Sequence, residues 1–209
     1  KGFCIVRSFL PGEGYMDSNN MEQFCKELLE GGAQKLRVKL LDKSENRERI
    51  FTPKISMLPQ SNEYIVSLTD ITDFEAHYKD LEFKATHDTL TRIYNRLKFE
   101  SVLEGEVSRA LRYSMKLSLV IFDVDDFKKT NEIYGNEACD LALIKLCEIV
   151  SGELGRDDLF ARIGDDEFAV LFPSVEFSHA FSAAEKLRKL IAEYDFQGVG
   201  RITCSFGVS

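Results

Sequence analysis

An apolar run at residues 117–122 ends on Asp123, Val124, Asp125 and Asp126. A second acidic group, Asp165, Asp166 and Glu167, fills a short turn between two apolar segments, and Asp158 lies just before the first of these. Crowded carboxylates repel one another unless a cation neutralises them. Oxygen donors with no His or Cys beside them select a hard ion, Mg²⁺ or Mn²⁺, and such ions usually work on substrate phosphates. An acidic turn on its own is more often solvated surface. The elements that carry the two groups decide between these readings.

Residues 117–122 read as a buried strand and 138–154 as an amphipathic helix. Residues 159–162 and 168–172 read as two short strands around a tight turn. In a βαββ unit of this kind the first two strands run parallel, by the right-handed crossover rule. The end of the first strand and the turn at 163–167 then share one sheet edge, which brings Asp123 to the turn carboxylates. A helix is predicted at 97–111, with the apolar stripe Phe99, Leu103, Val107, Ala110 and Leu111. Another follows at 178–193, and a strand at 202–208. The order predicts an α+β fold with a βαββαβ core, its mainly antiparallel sheet of ferredoxin-like or palm type carrying helices on one face.

Four ordered motifs now resemble the GGDEF (diguanylate cyclase) family. The signature hairpin reads Arg162-Ile163-Gly164-Asp165-Asp166-Glu167-Phe168. The upstream pattern DxDxFKxxND reads Asp123-Val124-Asp125-Asp126-Phe127-Lys128-Lys129-Thr130-Asn131-Glu132. The opening motif D-x-LTxxxNR reads Asp88-Thr89-Leu90-Thr91-Arg92-Ile93-Tyr94-Asn95-Arg96, and the terminal strand reads Ser205-Phe206-Gly207-Val208. The resemblance implies a condensation of two GTP into cyclic di-GMP by a homodimer. It assigns Asp123, Asp166 and the carbonyl of Val124 to the metal, with Glu167 as the second acidic hairpin position serving that site. Asp166 and Glu167 are thereby the expected catalytic carboxylates. Asn131 and Asp140 match the two readers of the guanine edge. Backbone amides near Asp126, Phe127 and Lys128 would hold the β- and γ-phosphates. Gly164 and Asp165 occupy the turn positions set against the nucleotide.

The sequence departs from that family at several positions. Asp165 stands where the second hairpin glycine is expected, in a turn position that an Asp can take in left-handed conformation. Its charge would repel a phosphate about 5 Å away by about 3 kcal/mol at an effective dielectric near 20. Glu132, Asn136, Cys139 and Arg92 replace the usual Asp, His, Gly and Gly. Gly155 stands where the product-inhibition motif has Arg, although its Asp is present as Asp158. The family's last helix and strand would lie beyond Ser209. The expected function is a sensor-regulated diguanylate cyclase with reduced activity. The alternative is a degenerate GGDEF domain that binds GTP or dimerises and passes a signal on.

Residues 1–73 read as short strands with one helix at 21–30. Strands are predicted near 35–41, 49–57 and 63–68, an antiparallel meander with a turn at 42–46. The segment ends Ser67-Leu68-Thr69-Asp70-Ile71-Thr72-Asp73, where it resembles the end of a PAS sensor domain, here incomplete. Nothing in it identifies a PAS ligand. Residues 74–86 read as a linker helix whose stripe Phe74, Tyr78, Leu81 and Ala85 forms either a dimer seam or a face packed on its own domain. The GGDEF domain is expected over 87–209.

The apolar fraction of 44% suits a chain that buries a core, and the net charge of −8 argues against a nucleic-acid polymer as partner. The five cysteines are scattered and form no CxxC pair, as buried reduced thiols do in a cytoplasmic protein. No stretch is long enough to span a bilayer, and a membrane anchor outside the chain is left open. His87, before the opening motif, is expected to pack or cap. The expected partners are GTP, a second copy of the chain and downstream receptors of cyclic di-GMP.

Overall fold

The computed structural model describes residues 4–8, 37–42, 47–57 and 64–209. The predicted helix at 21–30 lies outside these residues, as does most of the predicted turn at 42–46. The backbone divides into two compact units, Lys1–Asp80 and Leu81–Ser209.

In the first unit, strands β1 (Cys4–Ser8), β2 (Val38–Asp42), β3 (Arg47–Met57) and β4 (Tyr64–Asp70) form an antiparallel sheet in that order. The predicted meander is present, and β1 extends it by pairing with β2. The Asp-Ile-Thr segment then turns the chain into helix α1 (Thr72–Thr86) for a local reason. Asp70 Oδ1 accepts from the Thr72 N–H at 2.9 Å and from its hydroxyl at 2.6 Å, while Thr72 Oγ1 accepts from the Ile50 N–H at 2.9 Å. The Thr72 hydroxyl and N–H, with Arg49 nearby, hold the Asp70 carboxyl below its ordinary pKa. Such a turn belongs to many antiparallel sheets and assigns no family by itself. On α1, Phe74, Tyr78 and Leu81 are 66%, 56% and 65% exposed, so the described residues do not cover the predicted stripe.

In the second unit, the elements are β5 (Tyr94–Asn95), α2 (Arg96–Tyr113), β6 (Leu117–Val124), α3 (Phe127–Tyr134), α4 (Asn136–Glu153), β7 (Leu159–Arg162), β8 (Glu167–Pro173), α5 (Phe177–Glu193) and β9 (Cys204–Val208). The sheet order is β5-β7-β8-β6-β9. All neighbours are antiparallel except β5 and β7. Strands β6 and β7 run parallel as the crossover rule requires, with β8 inserted between them. This is the βαββαβ arrangement with one short strand added at the β7 edge.

One expectation about the layers is corrected. Helices cover both faces of this sheet, not one. Val120, Phe122 and Val124 of β6 join Phe168 and Val170 of β8 against Leu143, Leu146 and Val150 of α4 and Leu187 and Ile191 of α5. The other face takes α2, whose Phe99, Val102 and Leu103 pack on Ala161, Ala169 and Leu171. The physical reason lies in the four consecutive apolar residues Leu119 to Phe122, because a strand solvated on one face alternates and this stretch does not. Only the first half of the α2 stripe is used; Val107 and Leu111 remain 40% and 79% exposed.

Cys139, Cys147 and Cys204 are free and buried. Burial pushes the thiols of Cys147 and Cys204 up to about 12, so neither offers a reactive thiolate.

Candidate active site

The predicted sheet edge exists. Asp123, at the end of β6, is the register partner of Glu167 at the start of β8, and on its other side of Ser205 in β9. The Val124 N–H donates to the Asp166 carbonyl at 3.2 Å. The strand end and the signature turn are therefore tied together at one edge. Asp123 is exposed, Asp166 half-buried and Glu167 exposed, while the Val124 side chain is buried.

The turn is held from within and from below. The Ile163 and Gly164 N–H groups both donate to the Glu167 carbonyl, at 2.9 and 3.2 Å. Arg162 spans the turn and the opening motif: its Nη2 donates to the Asp165 carbonyl at 2.6 Å and its Nη1 to Asp88 Oδ1 at 3.1 Å. A Cβ on Gly164 would come within 2.5 Å of Glu167 Oε2, so the Glu167 side chain folds against the turn. Asp165 is exposed, and neither it nor Gly164 has a positive φ. The left-handed conformation that an Asp can take is not used here, and Asp165 enters the turn without backbone strain.

The opening motif explains itself in the same way. Asp88 Oδ1 accepts from the Thr91 N–H at 2.8 Å and its hydroxyl at 2.7 Å, in addition to Arg162. Asn95 caps α2 by accepting from the Lys98 N–H at 2.9 Å. His87 stacks between Phe83 and Tyr94, with ring centroids 4.4 and 4.8 Å away, which is a packing role. Arg92, in place of Gly, takes φ +65° and lays its guanidinium 4.5 Å from the Phe83 ring. Burial raises the Asp88 pKa, but Thr91 and Arg162 together outweigh it and leave the carboxyl below its ordinary value. A depressed carboxyl adds stability above its unfolded value, and that contribution is lost as pH falls through the folded value. Asp88→Ala is therefore expected to cost about 2 kcal/mol at pH 7. In urea unfolding, the gap between variant and parent should narrow as pH drops below about 4. A gap that does not depend on pH would show that the loss is packing alone.

Beyond the strand end, Asp126 takes φ +54° and starts α3 without a side-chain cap. The first N–H groups of α3, at Phe127 and Lys128, are thus left without that cap. Phe127 packs on the core and Lys128 is exposed. Gly135, at φ +82°, makes the corner between α3 and α4, and its N–H donates to the Asn131 carbonyl at 2.9 Å. Asn131 lies on α3 just before this corner and Asp140, exposed, on α4 just after it. The Asn131 Oδ1 is buried with no hydrogen-bond partner. Glu132 and Asn136 are exposed at the same corner, and Cys139 is buried behind it. In the product-inhibition segment, the Gly155 N–H donates to Asp158 Oδ2 at 2.6 Å.

Sequence reasoning grouped Asp125 with the other carboxylates without giving it a task. Its two oxygens are both taken: Thr203 Oγ1 donates to Oδ2 at 2.5 Å and Ser205 Oγ to Oδ1 at 2.7 Å. Arg162 was read only as part of the hairpin signature. Nothing local in the sequence signals its bond to Asp88, 74 residues away.

Asp123, Asp166 and the Val124 carbonyl offer only hard oxygen donors at one edge, which fits Mg²⁺ or Mn²⁺. Among the described residues no three His, Cys, Asp or Glu side chains gather for a metal. Asp123, Asp166 and Glu167 therefore do not form a closed cage. Mg²⁺ suits such a site, since it commonly takes one or two carboxylates and completes its shell from substrate phosphates and water.

Residues 85–209 match the model of the diguanylate cyclase, GGDEF domain. Diguanylate cyclase DgcM of Escherichia coli K12 is 33% identical over 140 residues, which are 67% of this chain and 34% of that protein. Diguanylate cyclase DgcP of Pseudomonas aeruginosa is 36% identical over 147 residues, 67% of this chain and 21% of that protein. The chain thus spans about a third or less of the length of these curated relatives. The solved GGDEF domain of DgcB with its coiled coil, from Caulobacter crescentus, in complex with c-di-GMP, aligns with TM-score 0.60 at 24% identity. That alignment covers 66% of this chain and 75% of the other and shows the shared fold. Diguanylate cyclase SiaD, in complex with its activator SiaC from Pseudomonas aeruginosa, aligns with TM-score 0.57 at 28% identity, over 65% of this chain and 55% of the other. No helix among the described residues is long and apolar enough to cross a membrane. On the match over 85–209 and the sheet edge that carries its motifs, the chain belongs to the GGDEF-domain diguanylate cyclase family.

Proposed function

We propose that this chain is a sensor-regulated diguanylate cyclase, with residues 1–73 as the sensor part, 74–86 as the linker helix and 87–209 as the cyclase domain. The observation that carries the reading is the tie between the end of β6 and the signature turn, Val124 N–H to Asp166 carbonyl, beside the uncapped start of α3. That edge offers carboxylates for a cation and N–H groups for phosphates side by side. The buried Asn131 oxygen supports guanine as the base. An unmet buried acceptor costs about 1–3 kcal/mol, and the guanine amino group supplies a donor. Asp140 can take the N1–H and amino hydrogens together, a donor pair that adenine lacks.

Each domain holds one GTP, and two domains meet face to face. The 3′-hydroxyl of each nucleotide attacks the α-phosphate of the other. A new P–O ester bond forms, the bond to the β-phosphate breaks, and pyrophosphate leaves; done twice, this gives cyclic di-GMP. A divalent ion, when bound, activates the hydroxyl and offsets charge at the phosphate. Asp123 and Asp166 would hold it, with the Val124 carbonyl and Glu167 beside them. The amides of Phe127 and Lys128 would orient the β- and γ-phosphates, with Gly164 and Asp165 bordering the nucleotide. The exposed stripe Phe74, Tyr78 and Leu81 supports a dimer seam on the linker helix, with a second copy as its occupant. The reaction draws on GTP, which places it in the cytoplasm and hands its product to cyclic di-GMP receptors there.

Asp165 favours a second reading, a domain that binds GTP or dimerises and signals without turnover. Incubating the full-length protein with GTP and Mg²⁺ and separating the products distinguishes the two. Cyclic di-GMP and pyrophosphate in a 1:2 ratio are expected. GTP binding with no product would establish the second reading.

A further inference from the structure

The loop between β6 and α3 joins the Asp123 end of the strand to the uncapped start of the helix. We infer that Asp125 is a positioning residue that clamps this loop to β9 through the Thr203 and Ser205 hydroxyls, and that it is not a metal ligand. The inference rests on the cyclase reading for its effect on turnover.

Asp125 sits in a strongly acidic stretch, where three of the four residues 123–126 are Asp. Its neighbours on either side turn outward: Asp123 and Asp126 are exposed, while Asp125 is half-buried. It meets the start of β9 three times, twice through Thr203, the residue before the strand, and once through Ser205 within it. Its N–H donates to the Thr203 carbonyl at 2.9 Å, and its two carboxylate oxygens accept the Thr203 and Ser205 hydroxyls at 2.5 and 2.7 Å. Hydroxyl-to-carboxylate bonds of this length are of the strong, charge-assisted kind. With both oxygens committed, the carboxylate faces the strand.

What the clamp holds is the next residue. Asp126 has φ +54°, a left-handed conformation that a non-glycine residue adopts at a cost. The reversal there turns the chain from the strand into α3. On the far side, the Asp126 carbonyl accepts from the Thr130 N–H at 3.0 Å and the Thr130 hydroxyl at 3.1 Å. On the near side, the Asp125 contacts supply the hold. Ser205 is also the register partner of Asp123, so one serine joins the clamp to the proposed metal carboxylate's own strand pair. Loss of the clamp frees the reversal, and with it the aim of the Phe127 and Lys128 N–H groups.

The test compares Asp125→Ala, Asp125→Asn and the double variant Thr203→Val with Ser205→Ala, all in the full chain. The first readout is amide hydrogen exchange across residues 124–131 in the nucleotide-free protein. Exchange there should speed about tenfold in Asp125→Ala and in the double variant, with the rest of the second unit unchanged. Asp125→Asn keeps an acceptor oxygen and, through hydroxyls that also accept, most of the contacts, so it should stay within about threefold of the parent. The second readout is KM and kcat for GTP. The clamp predicts a raised KM in Asp125→Ala and in the double variant, with Asn restoring most of it. A metal ligand predicts the reverse: Asn as damaging as Ala, a higher Mg²⁺ requirement and no effect of the hydroxyl variant. That pattern, or unchanged exchange in Asp125→Ala, overturns the inference. A parent that makes no product, with the exchange pattern as expected, overturns the cyclase reading and leaves the clamp standing.

Discussion

Asp166→Ala is expected to lower cyclic di-GMP synthesis by about a thousandfold, while Asp165→Gly at the adjacent position is expected to raise it. The first figure follows from the several kcal/mol that a cation supplies at a phosphoryl centre, at about 1.4 kcal/mol per tenfold in rate. Among the described residues no three carboxylates gather into a metal cage, so the loss of one ligand is not made up by a preformed set. Asp123→Ala should match it, because the backbone tie between Val124 and Asp166 sets Asp123 and the signature turn at one sheet edge, where the proposed ion would be held by both. The second figure is smaller. A charge at 165 opposes the triphosphate by at most about 3 kcal/mol, and exposure screens much of that, so a rise of about threefold to tenfold is expected. The backbone at 165 lies at negative φ, so a glycine there brings no relief of strain. Any gain must therefore come from charge and close approach, and it should shrink as salt is raised. Both variants are assayed for initial rate at several Mg²⁺ concentrations, with thermal melts as controls. A fall in activity in Asp165→Gly would make Asp165 itself a ligand, and full activity in Asp166→Ala would end the metal-edge argument.

The other large effect concerns the base. Asp140→Ala is expected to reduce the preference for GTP over ATP by about a hundredfold, as two hydrogen bonds to a charged acceptor are lost. Asp140 is exposed at the helix corner, so its removal should leave the fold intact. Competition binding of GTP and ATP against a fluorescent guanine nucleotide measures this without requiring turnover. Equal weakening of both nucleotides would make Asp140 structural. Asn131→Ala should show the same direction with a smaller size, since it removes a single neutral acceptor and also the penalty of leaving it unmet in the free protein.

The parts of this arrangement that sequence reveals are those written locally. The strand at 117–122, the two strands around 163–167 and the helices between them follow from apolar spacing, and the crossover rule then joins Asp123 to the turn. The Asp-Ile-Thr passage into α1 and the Asp88 to Thr91 turn are also local, each closed by a hydroxyl within three residues. What stayed hidden depends on distant register. Thr203 and Ser205 reach Asp125 from 78 and 80 residues away, and Arg162 reaches Asp88 across 74. No periodicity announces such contacts. The second helical layer was legible in principle, because Leu119 to Phe122 on β6 are apolar on both faces. The backbone at 165 was not, since an Asp in a turn is compatible with either sign of φ.

The fold of Glu167 against Gly164 bears on how this turn can change over generations. At 164 an added Cβ would meet the Glu167 carboxylate and crowd its Cβ, so a substitution there requires the Glu167 side chain to swing away from the turn. Position 165 has an open side chain and an ordinary backbone, and Arg162 grips only its carbonyl, which every residue has. Drift in the turn is thereby channelled to 165, where a single replacement leaves the architecture whole and acts on charge alone.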